Sequence, residues 1–404
     1  MPTILLRLLG PSRFRGSGSF EPIATGPALH GASMSYPAPS TIAGMLASYA
    51  FFKGLCSSST YPINECDWNL ISQCVELTLK DLGMELSNGW ALRPGFVISR
   101  SNTKKKIYVH LNASSSYVEL SALADMIRYT LPQYVKALTL YLASRTAKAE
   151  ALISKLREEI SGKLRKYKEN GDVREPRTIE RIGISLERDM KVTRYGYIYS
   201  ASDLDLHASF EFPGEEPLVA TEVVGTTTYS ARVNRIPVRL SEGLPGLIEV
   251  SSDTVAEAIK ELNAECTDCF ALIQLTPILL PKGVLPMVYK SLSTTEVLKK
   301  LLSNRCRLLI ALSDVPYLAQ SRIAVTVPGY SYAMDRYRSP QPAIVGTTVC
   351  IVRCEWNQAY RIYVEGVGEA RKLGWGTLLP VPLPESTCSV AQQLLQLFGT
   401  TRGT

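Results

Sequence analysis

The sequence predicts an α+β protein built from two units, and three observations carry that expectation. The chain has 404 residues, more than one ordinary core organises, so two domains of roughly 150–250 residues each are expected. Strand-like and helix-like segments alternate in both halves, punctuated by 27 Gly and 24 Pro, which favours α+β over a sandwich or a helical array. Hydrophobic residues make up 46% of the chain, ample for packed cores. No run approaches the ~18 uninterrupted apolar residues of a membrane helix.

The elements follow in order. ILLRLLG (4–10) ends in Gly-Pro, as a buried strand leaving a sheet does. Arg7 interrupts this apolar start and no small-residue cleavage site follows, so the reading is a first strand rather than a signal peptide, in a cytoplasmic protein. Residues 11–39 are loop-like. PSTIAGMLASYAFFKGL then opens a helix, with Ser40 or Thr41 expected as its cap. WALRPGFVISRSNTKKKIYVHLN reads as two strands around a polar turn at 101–106. One long helical stretch is predicted over about 119–168, with Leu152, Ile153, Leu156, Ile160 and Leu164 at helical spacing. The polar stretch 168–180 reads as a loop or hairpin, and 181–200 as strands with a turn near Arg188–Met190. Further on come a strand within 268–283, a helix at about 294–304, short β segments between 305 and 364, and a short helix at 390–398.

Net charge is +7. Residues 145–194 concentrate it, with fourteen Lys/Arg against nine Asp/Glu. That density fits an anionic partner, most commonly nucleic acid, and equally a solvated helix face. Nine cysteines include Cys266-Thr-Asp-Cys269, a zinc-like spacing with no second pair and no histidine nearby, so neither a metal nor a cofactor is expected; the cysteines read as buried free thiols, with disulfides as an alternative that the sequence does not decide. No Walker phosphate loop, GGDD signature, His-Asp nuclease pair or HExxH occurs. The three histidines (30, 110 and 207) give little material for metal-free RNA cleavage, where His30 is the one candidate. The chain therefore reads as non-catalytic.

Four segments carry a resemblance. They are FRGSGSFEPIATGPALHGASMSYPAPSTIAGML (14–46), RIGISLERDMKVTRYGYIYS (181–200), ALIQLTPILLPKG (271–283) and YRSPQPAIVGTTVCIV (337–352). In this order they are similar to the markers of the CRISPR repeat-associated RAMP proteins of the Cas-five group. The family's Gly-Gly-Glu-x-x-Arg stretch is reduced in VVGTTTYSARV (223–233) to Gly225 and Arg232, and its Gly-Trp-Asp is faint in PGYSYAMD (328–335). The resemblance implies two ferredoxin-like (RRM-like) domains with inserted loops and helices. They are expected at 1–240, with a basic helical insertion at about 119–180, and at 241–404, carrying a glycine-rich loop. It also implies a subunit of a type III-B effector that holds the 5′ repeat-derived tag of a guide RNA between a large polymerase-like subunit and the backbone RAMP subunits. Such a subunit meets target RNA only indirectly. The equivalent type III-A subunit, a RAMP endoribonuclease acting through His30, and an interaction-only scaffold remain as alternatives.

VEGVGEARKLGWGTLLPVPLP (364–384) is similar to the family's glycine-rich loop. Gly366, Gly368, Gly374 and Gly376 let backbone N–H groups approach phosphates, while Arg371 and Lys372 add charge. Trp375 either stacks a base or packs inside. Arg13 and Arg15 flank Phe14 in the first loop, an arrangement suited to phosphates around a stacking ring. Ser40 and Thr41 stand at a helix start, which offers N–H groups and the positive dipole end. Arg174, Arg177 and Arg181 lie where RAMP relatives carry a thumb-like hairpin that grips guide RNA. Lys104–Lys106 serve RNA, a partner subunit or solubility alone.

Overall fold

The computed structural model describes residues 1–12, 14, 30–31, 34–56, 68–101, 105–111, 114–186, 193–210, 215–230, 235–239, 245–252, 255–262, 267–281, 294–302, 304–326, 330–331, 336–337 and 341–401. The first unit is built on β1 (Thr3–Leu8), α1 (Pro39–Phe52), α2 (Trp68–Asp81) and β2 (Met84–Arg100). After a long insertion come β3 (Glu216–Tyr229) and β4 (Pro245–Ser251). The four strands lie in the order β4-β1-β3-β2, every pair antiparallel. This is the strand order of a ferredoxin-like βαββαβ unit. Among the described residues no helix joins β3 to β4; the strand Ile236–Arg239 pairs with β4 instead.

The second unit is more regular. It comprises β5 (Cys269–Gln274), a helix Thr294–Leu302, β6 (Arg307–Leu312), β7 (Val349–Arg353), a helix Trp356–Glu365 and β8 (Leu378–Pro382). Its antiparallel order, β6-β7-β5-β8, is the same ferredoxin-like order read from the other edge. Both expected ferredoxin-like units are therefore present. The passage from one sheet to the other falls between Ser251 and Cys269, while residue 240 lies outside the described residues.

Period-two side-chain alternation explains how the sheets pack. Leu5, Phe96, Ile98, Leu218 and Ala220 from the first sheet share one core with Cys269, Ala271, Ile273, Val349, Ile351, Leu379 and Val381 from the second. Their neighbours face outwards. Ile4, Leu6, Leu92, Val97 and Val219 pack under α1 and α2, and Phe270, Leu272, Cys350 and Val352 pack under the second unit's two helices.

The insertion between β2 and β3 holds two strands, Lys105–Leu111 and Ser116–Glu119, followed by α3 (Leu120–Leu142) and α4 (Thr146–Glu169). The single helix expected over 119–168 is broken by Ser144, held at φ 58° in the left-handed region. On α4 only Ala149, Leu156 and Ile160 are buried, so most of its charge is solvated. A two-stranded arm follows, Arg177–Leu186 against Thr193–Asp205, with His30–Gly31 pairing in parallel to Ser200–Ala201. No helix among the described residues is long and apolar enough to cross a membrane.

Candidate nucleic-acid interface

The α1 side of the first sheet gathers Phe14, Ser40, Thr41 and Trp375 from the residues singled out in the sequence. Ser12 exchanges two backbone hydrogen bonds of 2.8 Å with Leu204, at the base of the arm. Met34 N–H donates to the Phe14 carbonyl at 2.6 Å, which ties the first loop to the segment that leads into α1. That segment is pinned to the sheet: Tyr36 Oη donates to the Ala220 carbonyl at 3.1 Å and accepts from Gly95 N–H at 2.9 Å, while Tyr117 Oη donates to the Ser35 carbonyl. Between them runs an open groove of about 440 Å³ lined by Met34, Ser35, Ser114, Ser115, Glu175, Pro176 and Thr178.

Individual residues sit differently from their sequence reading. Phe14 is 1% exposed and belongs to the core under α1, so its ring packs rather than presenting a face for stacking. Arg13 and Arg15 lie outside the described residues. Neither Ser40 nor Thr41 caps α1: Ala38 is the N-cap, without a side-chain bond, and Pro39 takes the first helical position, where its fixed φ suits the turn. Ser40 is buried and Thr41 half-buried. Arg174 is half-buried, 3.5 Å from Glu215 and 5.9 Å from the Phe210 ring centre. Arg177 is exposed on the first strand of the arm, paired across to Asp205. Arg181 follows on the same strand opposite Ala201, with its side chain outside the described residues. Lys106 pairs with Asp172 at 2.8 Å, and Lys104 lies outside the described residues.

The glycine-rich loop is a tightly packed joint. Gly366, Gly368, Gly374 and Gly376 all have φ between 65° and 94°, a region that favours glycine. A Cβ on Gly376 would lie 1.8 Å from the Val367 carbonyl oxygen, and one on Gly368 would lie 2.4 Å from that of Leu279. Several loop amides are engaged inside the fold: Val367 N–H on Gly376 O, Glu369 on Leu279 O, and Gly376 on Pro277 O. Trp375 is 3% exposed and meets Trp68 edge to face at 6.3 Å, so of its two readings it takes the packed one. Arg371 and Lys372 remain exposed, with Lys372 Nζ 5.6 Å from the Trp90 ring centre. Gly376→Ala is expected to destabilise the chain by at least about 2 kcal/mol through strain and clash. Gly10→Ala, where a Cβ meets nothing within 4 Å, serves as control. Equal denaturation midpoints for the two variants would show that the loop opens to admit the methyl group.

One residue that the sequence reading passed over holds the two units together. Arg93 of β2 is fully buried and donates to four carbonyls: Tyr363 at 2.6 Å, Val364 at 2.6 Å, Arg371 at 2.8 Å and its neighbour Leu92 at 2.5 Å. Three of these belong to the C-terminal turn of the helix Trp356–Glu365 and the loop beyond it, where helical carbonyls lack partners. Burial lowers the Arg93 guanidinium to about 10, which still leaves it charged at neutral pH. Buried Glu222 of β3 accepts from Tyr363 Oη at 2.6 Å and Ala256 N–H at 2.8 Å, and burial raises its carboxyl above the usual range. The signal in the sequence was a lone arginine inside the apolar run WALRPGFVI.

The structure decides between free thiols and disulfides for most of the described cysteines. Cys56–Cys74, Cys269–Cys388 and Cys306–Cys354 form disulfides, and Cys350 is a buried free thiol. Cys269 is thus unavailable for a zinc pair with Cys266. Among the described residues no three His, Cys, Asp or Glu are grouped to hold a metal. Burial pushes His110 down to about 3, and its Nε2 lies 2.6 Å from Ser35 Oγ. His207 Nε2 donates to the Leu8 carbonyl at 3.2 Å. His30 sits in the short strand against the arm, with its side chain outside the described residues.

No protein-family model matches the sequence, and no curated protein does. A chain in the cryo-EM structure of the Type III-B Cmr-beta bound to cognate target RNA is similar, with TM-score 0.50 and 20% identity over 93% of this chain and 96% of that one. A chain in the same assembly bound to cognate target RNA and AMPPnP, state 1, gives TM-score 0.49 at 17% identity, over 93% of this chain and 95% of that one. The chain thus shares, along nearly its whole length, the fold of a chain of the Cmr-beta assembly.

Proposed function

We propose that this chain is the third subunit of a Cmr complex, a type III-B effector, and that it holds the 5′ repeat-derived tag of the guide RNA without catalysing cleavage. One observation carries the reading: the first-strand loop and the start of α1, which it leads into, are fastened to the two-stranded arm, distant in sequence, on one face of a ferredoxin-like sheet. Hydrogen bonds from Ser12 to Leu204 and from Met34 to Phe14, with the ladder from His30 to Ser200, make that fastening. Two of the family's markers, at 14–46 and 181–200, run through these three segments, and the shared fold agrees with them. In this reading the large polymerase-like subunit and the backbone RAMP subunits flank the chain, and cleavage belongs to partners.

The test is to isolate the protein with its native RNA, crosslink with ultraviolet light, and sequence the RNA alongside the attached peptides. Short RNAs sharing one 5′ tag are expected, joined to peptides from 13–41, the arm, or the exposed residues Arg371 and Lys372. A protein carrying no RNA sinks the reading. Cut precursor repeats made by the purified chain alone favour the endoribonuclease.

A further inference from the structure

Beside the glycine-rich loop, Arg371 is joined by two arginines, Arg305 and Arg361, that neither the sequence motifs nor the fold comparison assigns. Arg305 Nη2 lies 3.0 Å from Glu365 Oε2 and its Nη1 donates to the Gly366 carbonyl at 3.0 Å. Arg361 Nε meets the other carboxylate oxygen of Glu365 at 2.5 Å. Arg371 stands over the same turn, since a Cβ placed on Gly366 would be 3.3 Å from Arg371 Cβ. Beneath them Arg93 adds a fourth, buried cation, its Nη2 3.1 Å from that same position. One carboxylate thus faces three surface-reaching guanidiniums, and Arg371 enters no ion pair among the described residues.

The geometry points to a phosphodiester-binding site for single-stranded RNA at this turn, formed by Arg305, Arg361 and Arg371 with Glu365 as positioning residue. The inference rests on the proposed RNA-binding function and deepens it. Glu365 engages only Nε of Arg361, whose side chain is 73% exposed, so its two terminal nitrogens stay turned to solvent. Guanidiniums held in a fixed fork match the oxygens of a phosphate better than ammonium groups do. The turn beneath the arginines is tied down by bonds from Arg305 to Gly366 O and from Arg93 to Arg371 O. Burial works against the Glu365 carboxylate, yet Arg361, Arg305 and Arg371 together hold it below its ordinary range, which agrees with a surplus of positive charge here.

The experiment measures binding of the full chain to a tag-bearing single-stranded RNA and to a scrambled RNA of equal length, across a salt series. Arg361→Gln and Arg371→Gln are each expected to weaken binding roughly three- to tenfold. Each should also flatten the slope of log affinity against log salt by about 0.7, the value for one lost phosphate contact on a single strand. Lys136→Gln removes the same charge from the exposed surface of α3 and is expected to change neither quantity. Both RNAs bound with unaltered slopes in the two arginine variants would overturn this site and leave the RNA-binding function standing. Flattened slopes with no preference for the tag would support the site and count against tag holding. Intact RNA binding combined with loss of a partner subunit in the variants would assign the cluster to an acidic protein surface instead and overturn the proposal. A chain that binds neither RNA removes both.

Discussion

Arg93→Met is expected to destabilise the protein by about 3–5 kcal/mol, the range for removing one partner from a buried charged network. Methionine fills much of the volume but donates nothing, so the carbonyls of Tyr363, Val364 and Arg371 lose their donor inside the protein. A buried acceptor left unpaired bears its full desolvation penalty, about 1–3 kcal/mol each. Glu222 also loses a favourable neighbour, because Arg93 is among the groups that oppose the burial-driven rise of its pKa. Arg93→Lys should rescue poorly, since one ammonium cannot span carbonyls from three segments. Scanning calorimetry decides the matter: the melting transition should fall by roughly 10 °C and broaden or split as the two sheets uncouple. A midpoint within about 1 kcal/mol of wild type would mean that water replaces the guanidinium and that the joint is held by the shared core alone.

The second large effect concerns Cys269–Cys388, which closes a span of 119 residues between β5 and the C-terminal helix Glu385–Thr401. In the chain-entropy view such a crosslink constrains the unfolded ensemble by about 5 kcal/mol. Cys306–Cys354, with a separation of 48, is worth about 4 kcal/mol by the same reasoning. A Cys269→Ala, Cys388→Ala double variant should therefore lose more than the Cys306→Ala, Cys354→Ala pair, as read from denaturant midpoints without reductant. Adding reductant to wild type, with free thiols counted, should reach at least the combined loss, since Cys56–Cys74 opens as well. Stability untouched by confirmed reduction would show that the dense second-unit core needs neither crosslink.

Much of the fold was legible because local chemistry and tertiary packing agree in the relevant segments. Pro39 marks the start of α1, the polar residues at 101–106 separate two apolar strands, and the alternating residues of CFALIQ divide between two cores. The break between α3 and α4 was not legible, for Ala143-Ser144-Arg145 contains neither Gly nor Pro and Ser144 reaches φ > 0 through context alone. The cap of α1 misled for a related reason: Ser40 and Thr41 are good cap residues, but proline at the first helical position leaves Ala38 to start the helix. The candidate site was legible in part. Glycines around Arg371 and Lys372 drew attention to the loop beside which the proposed site lies, but sequence cannot tell an exposed indole from a buried one, and Trp375 is buried. The arginines around Glu365 come from places sixty-six residues apart in the chain, Arg305 to Arg371, so no local pattern announces them. Disulfides were unreadable for the same reason, since only folding brings Cys269 to Cys388.

The arm Arg177–Leu186 and Thr193–Asp205 has a further consequence, one of length. Its ladder runs from Arg177 opposite Asp205 to Leu186 opposite Thr193. Ten residues of strand extend roughly 33 Å at ~3.3 Å per residue. Stacked nucleotides advance ~3.4 Å each along a strand. A strand of RNA laid beside the arm would therefore be matched against about ten nucleotides by backbone dimensions alone, before any base is inspected. On the proposed function such an arm would serve as a measuring rod: trimming two residues from each of its strands would shorten the protected stretch of RNA by about two nucleotides and leave its sequence preference where it was.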